Sequence, residues 1–301
     1  MTWWNDFADQ MQCDVPLSRW TWYRLGGRAR YLFRPRDAEQ LALLTVRARH
    51  ENLPVKVLGC GANVLVSDDG FDGVVVRLDG PAFRRVEHQE GRVCAGAGVD
   101  LMPFSRDCSE RGLSGLEFMA GIPASIGGAI RMNAGGPQGE FGDVVCEVKV
   151  LTPDGAIEDW PKQRLGFGYR KSEIGDAIVL SATLELVEAD PQRVTKVYED
   201  FFEQKRSSQP MGQQSAGCVF KNPPGQSAGA LIDRAGLKGT RCGEAYVSPQ
   251  HANFIVADPG ATASDVLGLI DKVRDRVRDV FDVELDVEID IWRPQRKASL
   301  V

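Results

Sequence analysis

Seven of the chain's 32 glycines fall within residues 121–142. A residue without a Cβ loses more backbone freedom on folding than any other, so a dense cluster inside an ordered chain needs a reason. Either the backbone turns there repeatedly, or another molecule approaches it closely. A second small-residue segment, Leu58-Gly59-Cys60-Gly61-Ala62-Asn63-Val64, follows directly on the apolar run VKVL (55–58). Small residues after a strand let backbone N–H groups converge on an anion. Gly59 and Gly61 match the start of a dinucleotide fingerprint, but Val64 stands where its third glycine belongs. No Gly-Lys-Ser/Thr occurs, so there is no P-loop. Taken alone, residues 58–64 are better explained as a tight strand-to-strand turn. The segment from Gly121 to Gly128, continuing through Asn133-Ala134-Gly135-Gly136, is too long for that. Two dense glycine loops without a P-loop favour a large diphosphate cofactor over a mononucleotide.

The patterning around these loops is mixed. Residues 37–52 predict a helix, with Asp37 as N-cap, Gln40 as its reciprocal partner, an apolar stripe of Leu41, Leu44 and Ala48, and Pro54 as terminator. VKVL (55–58) predicts a short buried strand, followed by VLVS (64–67) and VVVRL (74–78). VKVLTPDGAIEDW (148–160) predicts a hairpin turning at Pro153-Asp154-Gly155, and AIVLSATLELV (177–187) a long strand. From Pro191 the chain reads as helical up to Gln209-Pro210. A last helix at 264–281 presents Val266, Leu269, Ile270, Val273, Val277, Val280 and Phe281 at a 3.6-residue period. The composition shift places a domain boundary near residue 190, and the tail 294–301 is expected to fray.

Charge and cysteine content exclude other classes. There are 36 basic against 42 acidic residues, a net charge of −6, so the chain lacks the basic field of a nucleic-acid binder. Seven cysteines without a Cys-x-x-Cys pair argue against a disulfide framework and for a reducing compartment. Three scattered histidines, His50, His88 and His251, offer no metal site. The opening MTWWNDFADQ lacks a basic-then-apolar leader, and the most apolar stretch, 112–130, is interrupted by Glu117 and several glycines. A cytoplasmic protein, monomeric and with neither nucleic-acid nor membrane partners, is the expectation.

The ordered motifs narrow this further. T-x-x-x-L-G-G (21–27), LGCGANVLVSDDGFDG (58–73), GLSGLEFMAGIPASIGGAIRMNAGG (112–136), YRKS (169–172), SAGCVFKNP (215–223), AGALIDRAGLKG (228–239) and HANFIV (251–256) occur in that order. The chain resembles the UDP-N-acetylenolpyruvoylglucosamine reductase family over residues 21 to about 291. The resemblance implies an α+β fold: an FAD-binding domain of the vanillyl-alcohol-oxidase type over 1–190, then a smaller α+β substrate-binding domain over 191–301. It implies FAD and NADPH as cofactors, and UDP-N-acetylglucosamine-enolpyruvate as the substrate reduced to UDP-N-acetylmuramate in peptidoglycan precursor synthesis. Only 49 positions separate Tyr169 from Cys218, which resembles the shorter of the family's two types.

Site residues follow by motif. The FAD diphosphate would lie against Gly59, Gly61, Ala62, Asn63 and Val64 of the first loop. The second loop would add Gly121, Ile122, Pro123, Ala124, Ser125, Gly127 and Gly128, with Asn133, Ala134 and Gly135 beyond. Hydride delivery to the alkene builds negative charge beside the substrate carboxylate. Arg170 of the YR motif is then the candidate electrophile, since a guanidinium stays charged and grips a carboxylate at two points. Glu288, within ELDVEIDIW (284–292), matches the family's late glutamate, although Glu284, Asp286 and Asp290 share its alternation. Cys218 stands where the family usually has a serine proton donor; a thiol has a proton to give and is ordinarily protonated at neutral pH. Tyr169, Gln209, Lys221, Asn222 and Asn253 are the substrate-side candidates, and no metal is expected. Two rivals remain at this level: a flavin oxidase acting on a sugar alcohol, and a nucleotide-sugar-binding protein without chemistry.

Overall fold

The structure is a computed structural model describing residues 3–89 and 91–294, so the expected fraying of 294–301 lies, but for residue 294, outside the described residues. It is α+β. The boundary near residue 190 separates expected ligand roles; compactness follows another line. Unit 1 comprises Met1–Cys13, Tyr31–Cys60 and Val74–Ser207, and unit 2 comprises Asp14–Arg30, Gly61–Gly73 and Ser208–Val301.

In unit 1, helix α1 (Ala38–His50) begins where the sequence indicates. Asp37 accepts from Gln40 N at 2.8 Å, and Leu41, Leu44 and Ala48 are fully buried. The Gln40 side chain reaches one residue further back than expected, accepting from Arg36 N. Strand Val55–Val57 pairs in parallel with Val74–Val76. It is not the buried strand expected: Val57 is 37% exposed, whereas Val74, Val75 and Val76 are fully buried. The expected hairpin is present, with Val145–Leu151 against Ile157–Pro161 and Leu151 opposite Ile157. It belongs to a five-stranded antiparallel sheet whose centre is Ile178–Glu185, flanked on its other side by Arg92–Gly96 and then Val86–Gln89.

Three further helices complete the unit. Helix α2 spans Leu101–Glu110. Helix α3 (Ile126–Met132) lies inside the glycine cluster, where the sequence suggested only loop. Ser125 caps it by accepting from Gly128 N, and Asn133 ends it at φ +43°. Its apolar face, Ile126, Ala129 and Ile130, joins Val93, Ala95, Ala182 and Leu184 in the core. Helix α4 (Pro191–Ser208) starts just past residue 190 yet packs in unit 1. Val194 and Tyr198 are buried, Thr195 Oγ1 donates to Ser109 O, and Tyr198 Oη donates to Met102 O.

Unit 2 is built on helices α5 (Ala228–Arg234) and α6 (Ala263–Phe281). α6 buries Val266, Leu269, Ile270, Val273 and Val277 as its period predicts, but Val280 is 42% exposed. Its N-terminus is capped twice. Thr262 and Asp265 form a reciprocal capping box, and Asp68 accepts from Ala263 N, Ser264 N and Ser264 Oγ. The three-stranded sheet Arg241–Cys242, Ala245–Val247 and Ile255–Ala257 is antiparallel. Val64–Val66 pairs in parallel with Asp290–Trp292, near the end of the described chain. Tyr23 is fully buried, its hydroxyl donating to Ile255 O, and burial raises its phenol far above the usual range.

Candidate active site

Within unit 1 the two glycine segments meet. A Cβ on Gly59 would collide with Ser125 Oγ, so only glycine lets the turn after Val55–Val57 lie against the start of α3. Arg77 Nη1 donates to Gly59 O at 2.9 Å and its Nε pairs with Asp79 at 3.3 Å. Burial pushes the Arg77 guanidinium below its ordinary value, with Asp79 acting against the shift. Sequence reasoning missed Arg77; its signal is a lone cation closing the apolar run VVVRL.

The loop amides divide into two sets. Ile126 N donates to Val99 O, Gly127 N to Ala97 O and Gly128 N to Ser125 Oγ. A Cβ on Gly127 would come within 3.1 Å of Ala97 Cβ, so its smallness serves packing on Ala97. Gly59, Gly61 and Ala62, by contrast, donate their amides to no acceptor among the described residues. In unit 2, Gly61 has φ +74° and a Cβ there would strike Trp20 O. Small residues with amide donors available for an anion fit a diphosphate, so the first loop suits FAD better than the amides of 126–128 do.

Asn133 is 1% exposed and wholly engaged: Nδ2 donates to Glu140 Oε2 and Gly168 O, and Oδ1 accepts from Gly142 N. Through Gly168 it steadies a tight turn, in which Gly168 N donates to Lys171 O and Lys171 N to Gly168 O, both at 3.1 Å. Tyr169 and Arg170 form the tip. Tyr169 is 46% exposed, and the Arg170 guanidinium lies 5.3 Å from its ring centroid. Arg170 has φ +55°, a left-handed conformation that costs a non-glycine residue roughly 1–2 kcal/mol. Its Nη2 donates to Gly135 O at 2.9 Å. Lys205 is the second residue missed. Its Nζ donates to Phe118 O at 2.7 Å and Ala120 O at 2.8 Å. Burial, with the Arg170 charge adding to it, lowers its ammonium to about 8. Its signal was available: Val194, Tyr198 and Lys205 share one helix face at spacings of four and seven.

Unit 2 holds the remaining candidates. Cys218 is half-buried and forms an isolated bridge with Phe254; Phe220 forms another with Val287. Glu288 N donates to Val219 O at 2.7 Å. Glu288 lies just before the strand Asp290–Trp292, and it is half-buried while Glu284, Asp286 and Asp290 are exposed. Asn63 Nδ2 donates to Glu288 O, and Asp290 N to Asn63 O. Lys221 N donates to Asp286 O, and Asn222 Oδ1 accepts from Ala228 N at the start of α5. Gln209 is half-buried ahead of Pro210. Asn253 is 3% exposed, with its carboxamide on the backbone of Phe220. His251 accepts from Asn253 N at Nδ1, and burial lowers its imidazole below the ordinary value, which suits a neutral structural ring. Among the described residues no cluster of His, Cys, Asp or Glu could hold a metal ion.

Comparison with known proteins finds matches along most of the chain. Residues 29–160 match an FAD binding domain, and with the reductase matches that follow this makes the chain an FAD-dependent oxidoreductase. Residues 209–292 match the C-terminal domain of UDP-N-acetylenolpyruvoylglucosamine reductase. A reductase of that name from Moorella thermoacetica is 43% identical over 94% of this chain and 93% of its own length. One from Methylorubrum populi is 41% identical over 94% and 92%. The crystal structure of the reductase from Thermus caldophilus superposes with a TM-score of 0.82 at 38% identity, covering 94% of this chain and all of that one. The chain belongs to the UDP-N-acetylenolpyruvoylglucosamine reductase family.

Proposed function

We propose that the chain reduces the enolpyruvyl group of UDP-N-acetylglucosamine-enolpyruvate to give UDP-N-acetylmuramate, with Arg170, Cys218 and Glu288 as its chemical groups. Gly59, Gly61 and Ala62 of the first glycine loop would hold the FAD diphosphate, and the cofactor would supply the hydride chemistry there, with NADPH as the hydride source and the terminal alkene carbon as its destination. The electron pair displaced by that hydride accumulates on the carbon bearing the carboxylate. Arg170 grips the carboxylate and stabilises this charge as it builds. Cys218 Sγ gives its proton to that carbon, and solvent restores the thiol. Glu288 assists as an acid beside the developing charge. Lys221, Asn222 and Gln209 carry donors and acceptors suited to the UDP portion.

The observation that carries this reading is the Arg170 turn. A non-glycine residue in a left-handed conformation, with its guanidinium steered by Gly135 O and its turn held by Asn133, is strain retained for placement. The match to the family's C-terminal domain separates the reading from an oxidase that shares only the FAD fold. The seven cysteines form no disulfide, which suits a reducing compartment such as the cytoplasm, and among the described residues no helix is long and apolar enough to cross a membrane.

The test is spectroscopic. The purified protein should be yellow and should bleach when NADPH is added without oxygen. It should recolour on addition of the enolpyruvyl substrate, with UDP-N-acetylmuramate as product. A protein that cannot be loaded with FAD, or is bleached but never recoloured, would refute the assignment.

A further inference from the structure

The HANFIV motif places Asn253 among the substrate contacts, yet its side chain is committed to the protein. Oδ1 accepts from Phe220 N at 2.9 Å and Nδ2 donates to Phe220 O at 2.8 Å. Its backbone carbonyl accepts from Val219 N at 2.8 Å. One carboxamide thus satisfies both backbone groups of a single residue, as a neighbouring strand would. An uncharged amide side chain can do so in a buried place because it carries its acceptor and its donor side by side.

What it holds is the segment carrying Cys218. Cys218 is bridged to Phe254, next to Asn253, and Phe220 is bridged to Val287, next to Glu288. Between these two bridges, Val219 O accepts from Glu288 N. Neither bridge extends into a ladder, so the many repeated bonds that set register in a sheet are absent here. The buried amide of Asn253 is the side chain that fastens the middle of the arrangement.

We propose that Asn253 is a positioning residue: its carboxamide locks the Cys218–Phe220 segment and so sets the register of Cys218 against Glu288. The proposal rests on the reading that Cys218 and Glu288 serve the substrate half-reaction. Direct substrate contact would need a free edge of the amide. Both edges are hydrogen-bonded, and the residue is 3% exposed.

The experiment compares flavin-loaded wild type, Asn253→Ala and Asn253→Asp. In each, flavin reduction by NADPH and reoxidation by the enolpyruvyl substrate are timed separately. The alkylation rate of Cys218 by iodoacetamide is followed by peptide mass spectrometry. For Asn253→Ala, flavin reduction should stay within about twofold of wild type. The limiting rate of reoxidation should fall by roughly tenfold or more, the scale on which small misplacements of a reacting group act. The half-saturating substrate concentration should change less than about threefold, and Cys218 alkylation should change by more than that. Asn253→Asp keeps the bond from Phe220 N but sets a carboxylate against Phe220 O. It should fall between the other two in reoxidation rate, and it carries the test if the alanine variant does not fold. A raised half-saturating concentration with the limiting rate intact would make Asn253 a substrate contact and overturn the proposal. So would unchanged reoxidation and alkylation, or equal slowing of both half-reactions. Wild type that is never reoxidised by the substrate would instead overturn the functional reading itself.

Discussion

Unit 1 and unit 2 place their proposed reactive groups by different means. In unit 1, Arg170 sits on a two-residue tip closed by its own backbone pair, Gly168 with Lys171, and its placement is bought with left-handed strain. In unit 2, Cys218 and Glu288 sit on segments that belong to no extended ladder, and a distant buried amide registers them. The difference is one of range. The Arg170 turn spans four residues, whereas the Cys218 arrangement joins residues near 218, 253 and 288. Changes at Arg170 should therefore act locally, while those around Cys218 should be felt from remote positions.

The largest expected effect lies in unit 2. Cys218→Ala should leave flavin reduction by NADPH intact and slow reoxidation by substrate by roughly 10²–10⁴-fold, the range for losing a general acid. Cys218→Ser should recover much of that loss, since a hydroxyl can also give a proton. Full activity of the alanine variant, measured by stopped-flow absorbance, would remove Cys218 from the mechanism.

In unit 1, Arg170→Ala should slow reoxidation by roughly 10²–10³-fold and spare flavin reduction. Arg170→Gly separates side chain from backbone. It should lose the same chemistry but melt higher than the alanine variant, because glycine adopts φ +55° without the strain of roughly 1–2 kcal/mol. If the two variants melt alike, the turn is not a strained device and the contrast between the units weakens.

Lys205 tests how far that unit extends its control. The folded ammonium titrates at about 8 against 10.5 for an unburied lysine. Between those values the unfolded chain holds a proton that the folded one has released, so stability should rise with pH across that window. Below pH 8 the buried charge opposes folding in full. Thermal melts of wild type relative to Lys205→Met should show this rise between pH 8 and 10.5, and a flat difference would contradict it.

The smallest effect belongs to the second cap of α6. Asp68→Ala should lower stability by about 1 kcal/mol, the usual worth of an N-cap acceptor. Burial acts to raise the Asp68 carboxyl, but its bonds from Ser264 and Ala263 win and hold it below the usual range. Its contribution is therefore present above the ordinary carboxyl pKa and is lost as pH falls through the depressed one. A wild-type advantage that persists unchanged into strong acid would show that the cap acts without its charge.

Some of this was legible from neighbouring residues alone. Asp37 and the Leu41, Leu44 and Ala48 stripe announce α1, and Pro153-Asp154-Gly155 announces the hairpin. Capping, helical period and turn chemistry operate within a few residues, so the chain states them directly. The order of the glycine, YRKS and FKNP motifs carried the FAD assignment and the family for the same reason, since each motif is a short run read by itself. The tertiary structure decided the rest. Val57 and Val280 fit apolar patterns but are exposed, because nothing in a strand or helix pattern says which neighbours cover its last position. Glu288 is half-buried where Glu284, Asp286 and Asp290 are exposed, a difference their shared alternation does not show. Gly127 is small because of Ala97, thirty residues before it, and Asn253 is engaged with Phe220, thirty-three residues before it. Burial and register arise from contacts between residues far apart in the chain, and they exist only once the chain has closed those distances.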